Sequence, residues 1–279
     1  MKHFFKCALP ALLAFMVQGV SAQTHRLEKL WETDSVVRVP ESVLPDFKKH
    51  ILYVSEIGGN SNTAVGKGGV AKIGLDGKII DLDFTTGLNS AKGMGRFGDK
   101  LYVADLSELV VIDIKTGKVI NKIAIDSAKV LNDVTVDSKG VVYVSDSKTF
   151  KIHRVEKGKA TTFLTQVTGV NGLKAVGNDL YIMSGPKFMK ADSKGNLSQL
   201  ATITCNGDGL EPVGNGDFLI TCWSGHIFYV SADGKVEVLL DSEAQKMSTA
   251  DLGYDTVNHI LYVPTFFSKK VMAYKLVNN

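Results

Sequence analysis

Short runs of apolar and aromatic residues recur along the chain, separated by polar turns. Leu52-Tyr53-Val54-Ser55-Glu56, Leu101-Tyr102-Val103-Ala104-Asp105 and Val142-Tyr143-Val144-Ser145-Asp146 begin the series. Leu180-Tyr181-Ile182-Met183-Ser184, Phe218-Leu219-Ile220-Thr221-Cys222 and Leu261-Tyr262-Val263-Pro264-Thr265 continue it. β-Branched and aromatic residues suit a pleated surface, so each run predicts a strand. Gly98-Asp99-Lys100, Ser138-Lys139-Gly140, Gly177-Asn178-Asp179 and Gly214-Asn215-Gly216 precede four of them as turns, and strand–turn–strand is a hairpin. Third strands are predicted at Val70 to Ile73, Val110 to Ile114, Ile152 to Val155, Phe188 to Ala191, Ile227 to Val230 and Val271 to Leu276. Asp76-Gly77, Thr116-Gly117, Lys157-Gly158, Lys194-Gly195 and Asp233-Gly234 then turn into fourth strands.

The first strands open near Glu41, Lys92, Asn132, Asn171, Asp208 and Asp251, with gaps of 51, 40, 39, 37 and 43 residues. Six such units of four antiparallel strands predict an all-β, six-bladed β-propeller. The last unit ends at Asn279 after its third strand, and the segment from Arg26 to Glu32 has no other partner. It is expected to supply the missing strand and close the ring, which removes exposed sheet edges. An open β-sandwich is the competing architecture, but it does not explain a repeat of this length.

The first residues follow a different pattern. Lys2 and Lys6 precede an apolar stretch from Cys7 to Val17, and Val20-Ser21-Ala22 places small residues before Gln23. This is the layout of a secretory signal peptide, with cleavage near Ala22. The stretch is shorter than the roughly 20 residues that span a bilayer. The expected division is therefore a leader at 1–22 and one propeller domain at 23–279. No Cys follows the cleavage site, so no lipid anchor is expected. The mature chain should be exported to a periplasm or extracellular space, without a membrane anchor and as a monomer.

Composition adds exclusions. The chain has 279 residues, 44% hydrophobic and 22% charged, with 32 basic against 29 acidic side chains. Without the leader the balance is nearly neutral, and no long run of like charge occurs. Nucleic acid is therefore not an expected partner. Cys205 and Cys222 remain after cleavage, and an oxidising compartment permits a bridge between them. Cys205 precedes one first strand and Cys222 ends the strand paired with it, so a disulfide and two buried thiols are both open.

In a propeller the starts of the innermost strands converge on one mouth of the axial channel. That brings together Glu41, Lys92, Asn132-Asp133, Asn171-Gly172, Asp208-Gly209 and Asp251. Clustered carboxylates repel one another and lose hydration, so they call for a cation. Carboxylate and amide oxygens suit a hard ion, Ca²⁺ first, with Mg²⁺, Mn²⁺ and Zn²⁺ also open. Neither His nor Cys falls at structural-zinc spacing.

These residues also carry a family resemblance. Glu41-Ser42-Val43 through Leu52-Tyr53-Val54-Ser55 resembles the opening Glu-Gly-Pro…Leu-Tyr-Trp-Val-Asp segment of the gluconolactonase/regucalcin (senescence-marker) propellers. Asn132-Asp133, Asn171-Gly172-Leu173 and Asp208-Gly209-Leu210 are similar to that family's Asn-Asp, Asn-Gly-Leu and Asp-Gly-Met/Leu motifs, in the same order along the mature chain. The resemblance implies oxygen ligation of a metal by Glu41, Asn171 and Asp208. It further implies contact of Asn132 with substrate or a metal-bound water, and a general-base role for Asp208 in hydrolysis of a lactone or related ester. Two positions depart from the pattern. Val130 stands where an Arg is common, after Lys129, and Val134 stands where a Gly is common. Both weigh against a polyhydroxylated, gluconolactone-like substrate.

Other positions have two readings. Asp133 is a further substrate-binding candidate, or it turns the chain. Lys92 and Asp251 are also substrate-binding candidates, Asp251 for a substrate cation, or they pair across the mouth. Asp105 and Asp146, at second-strand ends, fit turn chemistry better than a site role. Glu56, Ser184, Trp223 and Thr265 are read as their equivalents. Trp223 and Phe266-Phe267 line a pocket or pack. His226 is read as surface or packing, and the Gly-rich segment 58–69 as a lid or a surface insertion. A non-catalytic propeller that binds a ligand or protein partner is the alternative to the hydrolase.

Overall fold

The computed structural model describes Met1 and residues 24–59 and 62–279. The expected leader lies outside the described residues apart from Met1, as do residues 60 and 61 of the Gly-rich segment. Six four-stranded antiparallel sheets form a six-bladed propeller, and among the described residues the one helical element is a single 3-10 turn, Phe266–Ser268. The innermost strands are Pro40–Asp46, Ala91–Phe97, Leu131–Val136, Val170–Val176, Gly207–Gly214 and Gly253–Asp255. Each lies beside the next, and the first lies beside the last, which closes the ring. The strand His25–Glu32 pairs antiparallel with Val271–Asn278 and completes the sixth blade, as the unpartnered segment predicted.

Among the described residues, six apolar clusters fill the gaps between neighbouring blades, one in each, and a smaller seventh holds Ile57, Ala250 and Phe266. The second blade shows how the sequence builds them. Side chains alternate faces along a strand. Leu101 and Val103 therefore pack toward the first blade, while Tyr102 and Ala104 pack toward the third. A strand covered on both faces needs a continuous apolar run, which is the pattern that marked each second strand. The outermost strands are mostly exposed, as in Val119–Ala124 and Leu197–Thr202.

Two local devices recur at one end of the blades. In five blades the pairing of first and second strands slips by one residue, between Pro40 and Val43, Ala91 and Met94, Leu131 and Val134, Val170 and Leu173, and Gly207 and Leu210. A bulge re-aims side chains, and it sits on the second and third residue of each strand. The freed N–H of the third residue finds a hydroxyl on the second strand in three blades. Ser42 donates to Ser55 Oγ, Asp133 to Ser145 Oγ and Gly209 to Thr221 Oγ1, each at 2.9 Å.

The second device ties the incoming chain to the end of the second strand. Glu56 accepts the N–H of Arg38 at 2.8 Å, and the Arg38 guanidinium also bonds it at 2.7 and 3.0 Å. Asp105 accepts from the N–H of Asn89 and Ser90. Asp146 accepts from Lys129, Val130, Lys148 and Thr149. In the fourth blade Ser184 Oγ donates to Thr168 O at 2.8 Å. In the fifth the same positions carry the Cys205–Cys222 disulfide. The pairing register makes Cys222 the equivalent of Glu56, which corrects the sequence alignment by one residue. Ala250 N–H donates to Pro264 O, so Pro264, not Thr265, takes that place in the sixth blade. Asp105 and Asp146 are thus structural acceptors, as expected.

Candidate functional site

The bulges decide which side chains meet. The second residue of each innermost strand is Glu41, Lys92, Asn132, Asn171 or Asp208. In the sixth blade Asp251 stands just before the strand, bridged in parallel to Ser42. All six predicted positions therefore lie around one mouth. Glu41, Lys92 and Asp208 are buried, at 4%, 5% and 5% exposure, which removes most of their hydration. The third residue explains the glycines of the Asn-Gly and Asp-Gly pairs. A Cβ on Gly172 would strike the carbonyl oxygen of Asp208, and one on Gly209 would strike Asp251 Oδ1. These glycines let the next innermost strand approach.

Glu41 is the least satisfied member. Its Oε2 is buried with no hydrogen-bond partner among the described residues. Burial pushes its carboxyl well above the usual range; Lys92 pulls it back, and Asp208 and Asp133 push it further. Asn171 Nδ2 donates to Asp208 Oδ1 at 2.7 Å, and the amide oxygen of Asn171 and Asp208 Oδ2 have no hydrogen-bond partner among the described residues. Burial raises Asp208 to about 6, against the pull of Lys92 and the Asn171 hydrogen bond.

Asp133 is occupied by the fold. Its Oδ2 accepts the N–H of Leu173 on the next blade at 2.5 Å, and its Oδ1 accepts that of Val134 at 2.6 Å. Burial still raises it to about 7, with those two N–H groups opposing. Asp251 accepts the Ser42 hydroxyl at 2.5 Å. Burial and then Asp133 hold it well above the usual range, with Glu41 and Asp208 adding to the rise and Ser42 opposing it. Asn132 Nδ2 donates to Ser147 Oγ at 2.9 Å, so its amide oxygen remains available.

The pair across the mouth between Lys92 and Asp251 does not form. The Lys92 ammonium acts instead on Glu41 and Asp208, and Asp251 turns to Ser42. The reason is geometric: the parallel bridge holds Asp251 against the first blade. Lys92 is thus a countercharge inside the cluster. The sequence reading missed the hydroxyls of Ser42, Ser55, Ser145 and Thr221, although three of them precede a second-strand end and were visible there as a repeat. It also missed the Lys174–Glu211 ion pair, 2.6 Å long, farther down the channel.

Among the described residues, no three His, Cys, Asp or Glu side chains group as a metal-binding set by themselves. The trio Glu41, Asn171 and Asp208 has two carboxylates and one amide. Also among the described residues, no helix is long and apolar enough to cross a membrane.

No family model matches the sequence, and no curated protein matches it. Solved structures do resemble it. A streptogramin B lyase superimposes with a TM-score of 0.66 at 11% identity, covering 92% of this chain and 98% of that one. A catalytically inactive variant of virginiamycin B lyase from Staphylococcus aureus, solved with quinupristin, gives 0.65 at 12% identity, covering 91% and 100%. A luciferin-regenerating enzyme gives 0.64 at 13% identity, covering 90% and 95%. The likeness is one of fold: these enzymes and this chain share the propeller.

Proposed function

We propose that this chain is an exported, divalent-cation-dependent hydrolase of a lactone or related ester, working at the channel mouth and akin to the gluconolactonase/regucalcin propellers. The observation that carries the reading is the buried, unpartnered Oε2 of Glu41, set in a cluster with the Asn171–Asp208 pair. An orphaned carboxylate oxygen costs free energy unless a cation or donor meets it. The free oxygens of Glu41, Asn171 and Asp208 fit a hard ion such as Ca²⁺. When bound, that ion would polarise the ester carbonyl as a Lewis acid.

The chain's own groups supply the rest. Asn171 fixes one oxygen of Asp208, so the other points in a defined direction. Burial raises Asp208 to about 6 in the cation-free protein; a bound cation would lower it, so Asp208 would be ionised at neutral pH and its second oxygen would take the proton of an attacking water. The water oxygen bonds to the acyl carbon, the ring or ester C–O bond breaks, and the proton held by Asp208 passes to the leaving alkoxide. Lys92 adds positive charge beside the site while the acyl oxygen becomes negative. Asn132 offers its amide oxygen to a substrate hydroxyl or to the water.

A panel of lactones and simple esters, assayed with calcium and with chelator, tests the reading. Turnover is expected only with the cation, and Asp208→Asn should lose at least about a hundredfold. No turnover across the panel in cation-loaded protein would sink the hydrolase. A second reading keeps the mouth and drops the chemistry. Lys92 already lies within the cluster and Asp133 is spent on backbone bonds, features that also suit a ligand-holding propeller without turnover.

A further inference from the structure

An exposed aromatic shelf lies at the same end of the molecule as the carboxylate cluster. Trp223 directly follows Cys222, which pairs with Gly207, the residue before Asp208. Phe266 packs in a small cluster with Val39, Ile57 and Ala250; Ala250 immediately precedes Asp251, and Val39 lies two residues before Glu41. Trp223 meets Phe266 and Phe267 edge-on, with centroids 5.5 and 6.1 Å away. Yet Trp223 is 46% exposed and Phe267 66% exposed. Phe266 holds a left-handed backbone, φ 49°, which a bulky residue rarely adopts. That conformation buries Phe266 and turns Phe267 outward. Strain of this kind concentrates at ligand-binding sites.

Across the mouth, Val130 is half-buried two residues before Asn132. The rim thus carries apolar surface on both sides of a charged, hydrogen-bonding centre. A polyhydroxylated ring set against apolar rim surface would leave hydroxyls without partners, which costs binding energy.

We propose that Trp223 and Phe267 form the specificity subsite for an aryl or similarly flat apolar group borne by the ester. This deepens the hydrolase reading and rests on it for the chemistry. Indole and phenyl rings offer faces and edges for offset or edge-on stacking with such a group. The remainder of the substrate would then reach toward Asp208, and the shelf sets which ester is held rather than how it is cleaved.

The test compares γ-phenyl-γ-butyrolactone with glucono-δ-lactone in calcium-loaded protein, reading binding by calorimetry and hydrolysis by pH-stat. The phenyl lactone should bind and turn over better. Trp223→Ala and Phe267→Ala should each raise its KM roughly five- to tenfold with kcat little changed. Trp223→Phe should restore most of the loss, and neither alanine variant should alter glucono-δ-lactone. Both side chains are exposed, so folding should survive, as melting curves will verify. Phenyl-lactone binding without turnover, weakened by Trp223→Ala, supports the shelf while removing the hydrolase. Hydrolysis indifferent to both alanine variants overturns the shelf and keeps the hydrolase. Absence of phenyl-lactone binding overturns the shelf.

Discussion

In chelator, the protein is expected to melt at a higher temperature near about pH 5 than near about pH 8. Carboxylates paired in the folded state act in the opposite direction on acidification, so the sign is distinctive. Four carboxylates at the mouth, three buried and Asp251 half-buried, have folded-state pKa values above their unfolded ones. Asp208 rises from 3.8 to about 6 and Asp133 from 3.8 to about 7. Glu41 and Asp251 lie well above their ordinary values. The folded state therefore binds more protons than the unfolded chain between these limits. The resulting stability is fully present below the unfolded values, near 4, and is lost as pH rises through the folded ones. Between about pH 5 and about pH 8, Asp208 and Asp133 together amount to on the order of 4 kcal/mol, at about 1.4 kcal/mol for each tenfold change in proton affinity. That corresponds to a difference of roughly 10 °C in Tm for a chain of this size.

Other groups titrate in or near this window. Glu211 is also raised by burial and acts in the same direction. His153 is lowered by burial, so the folded state resists its protonation and it opposes the trend. One such histidine stands against five carboxylates. Acids with lowered values, such as Glu32 at about 2, lose their contribution only below about pH 4. Calcium should reverse the picture by competing with protons for the same oxygens. It should raise Tm near about pH 8, by roughly 5 °C or more at a hundredfold excess over Kd, and little near about pH 5. A Tm in chelator that falls steadily from about pH 8 to about pH 5 contradicts the raised carboxylates.

Two substitutions at the mouth are expected to move cation-free stability in opposite directions. Lys92→Met removes the positive charge that acts on Glu41 and Asp208. Breaking a buried charge arrangement from one side costs about 3 to 5 kcal/mol. Glu41→Gln removes a buried negative charge whose Oε2 has no partner. It should stabilise the cation-free protein by about 1 to 3 kcal/mol, the scale of an unsatisfied buried polar group. Yet Glu41→Gln should also abolish the stabilisation by calcium, because the lost oxygen is a ligand. Residues that serve function often cost stability in this way. Denaturant melts near about pH 8, with and without calcium, read both effects. If Glu41→Gln instead lowers cation-free stability, the carboxylate is already satisfied and the case for a ligand at Oε2 fails.

The ring was legible because its signal is physical and periodic. A strand buried on both faces needs a continuous apolar run, and six such runs at near-constant spacing leave little choice of architecture. The closing strand followed by elimination, since the last unit was one strand short. Convergence of Glu41, Lys92, Asn132, Asn171, Asp208 and Asp251 followed from the repeat alone. What they do there did not. Asp133 has two readings in the sequence, substrate contact or a turn, and fills neither: the bulge separates neighbours, sending Asn132 to the mouth and tying Asp133 to Leu173 of the next blade. A pair between Lys92 and Asp251 is one of two readings that their opposite charge allows in the sequence, whereas the parallel bridge at Ser42 governs Asp251. Trp223 is read in the sequence as the equivalent of Glu56, so the Cys205–Cys222 bridge, although open there, is not recognised as the clip that takes the place of Glu56. Composition cannot report a one-residue slip, and the glycines that permit close blade packing look the same as glycines of a site.

A divalent cation is proposed to sit at the mouth between Glu41, Asn171 and Asp208. Calorimetric titration of calcium into chelator-treated, dialysed protein at neutral pH reads that site. One saturable site per chain is expected, with proton release on binding, and its loss in both Glu41→Gln and Asp208→Asn. Folded protein that takes up no calcium, magnesium, manganese or zinc, or that binds equally well in both variants, would contradict it.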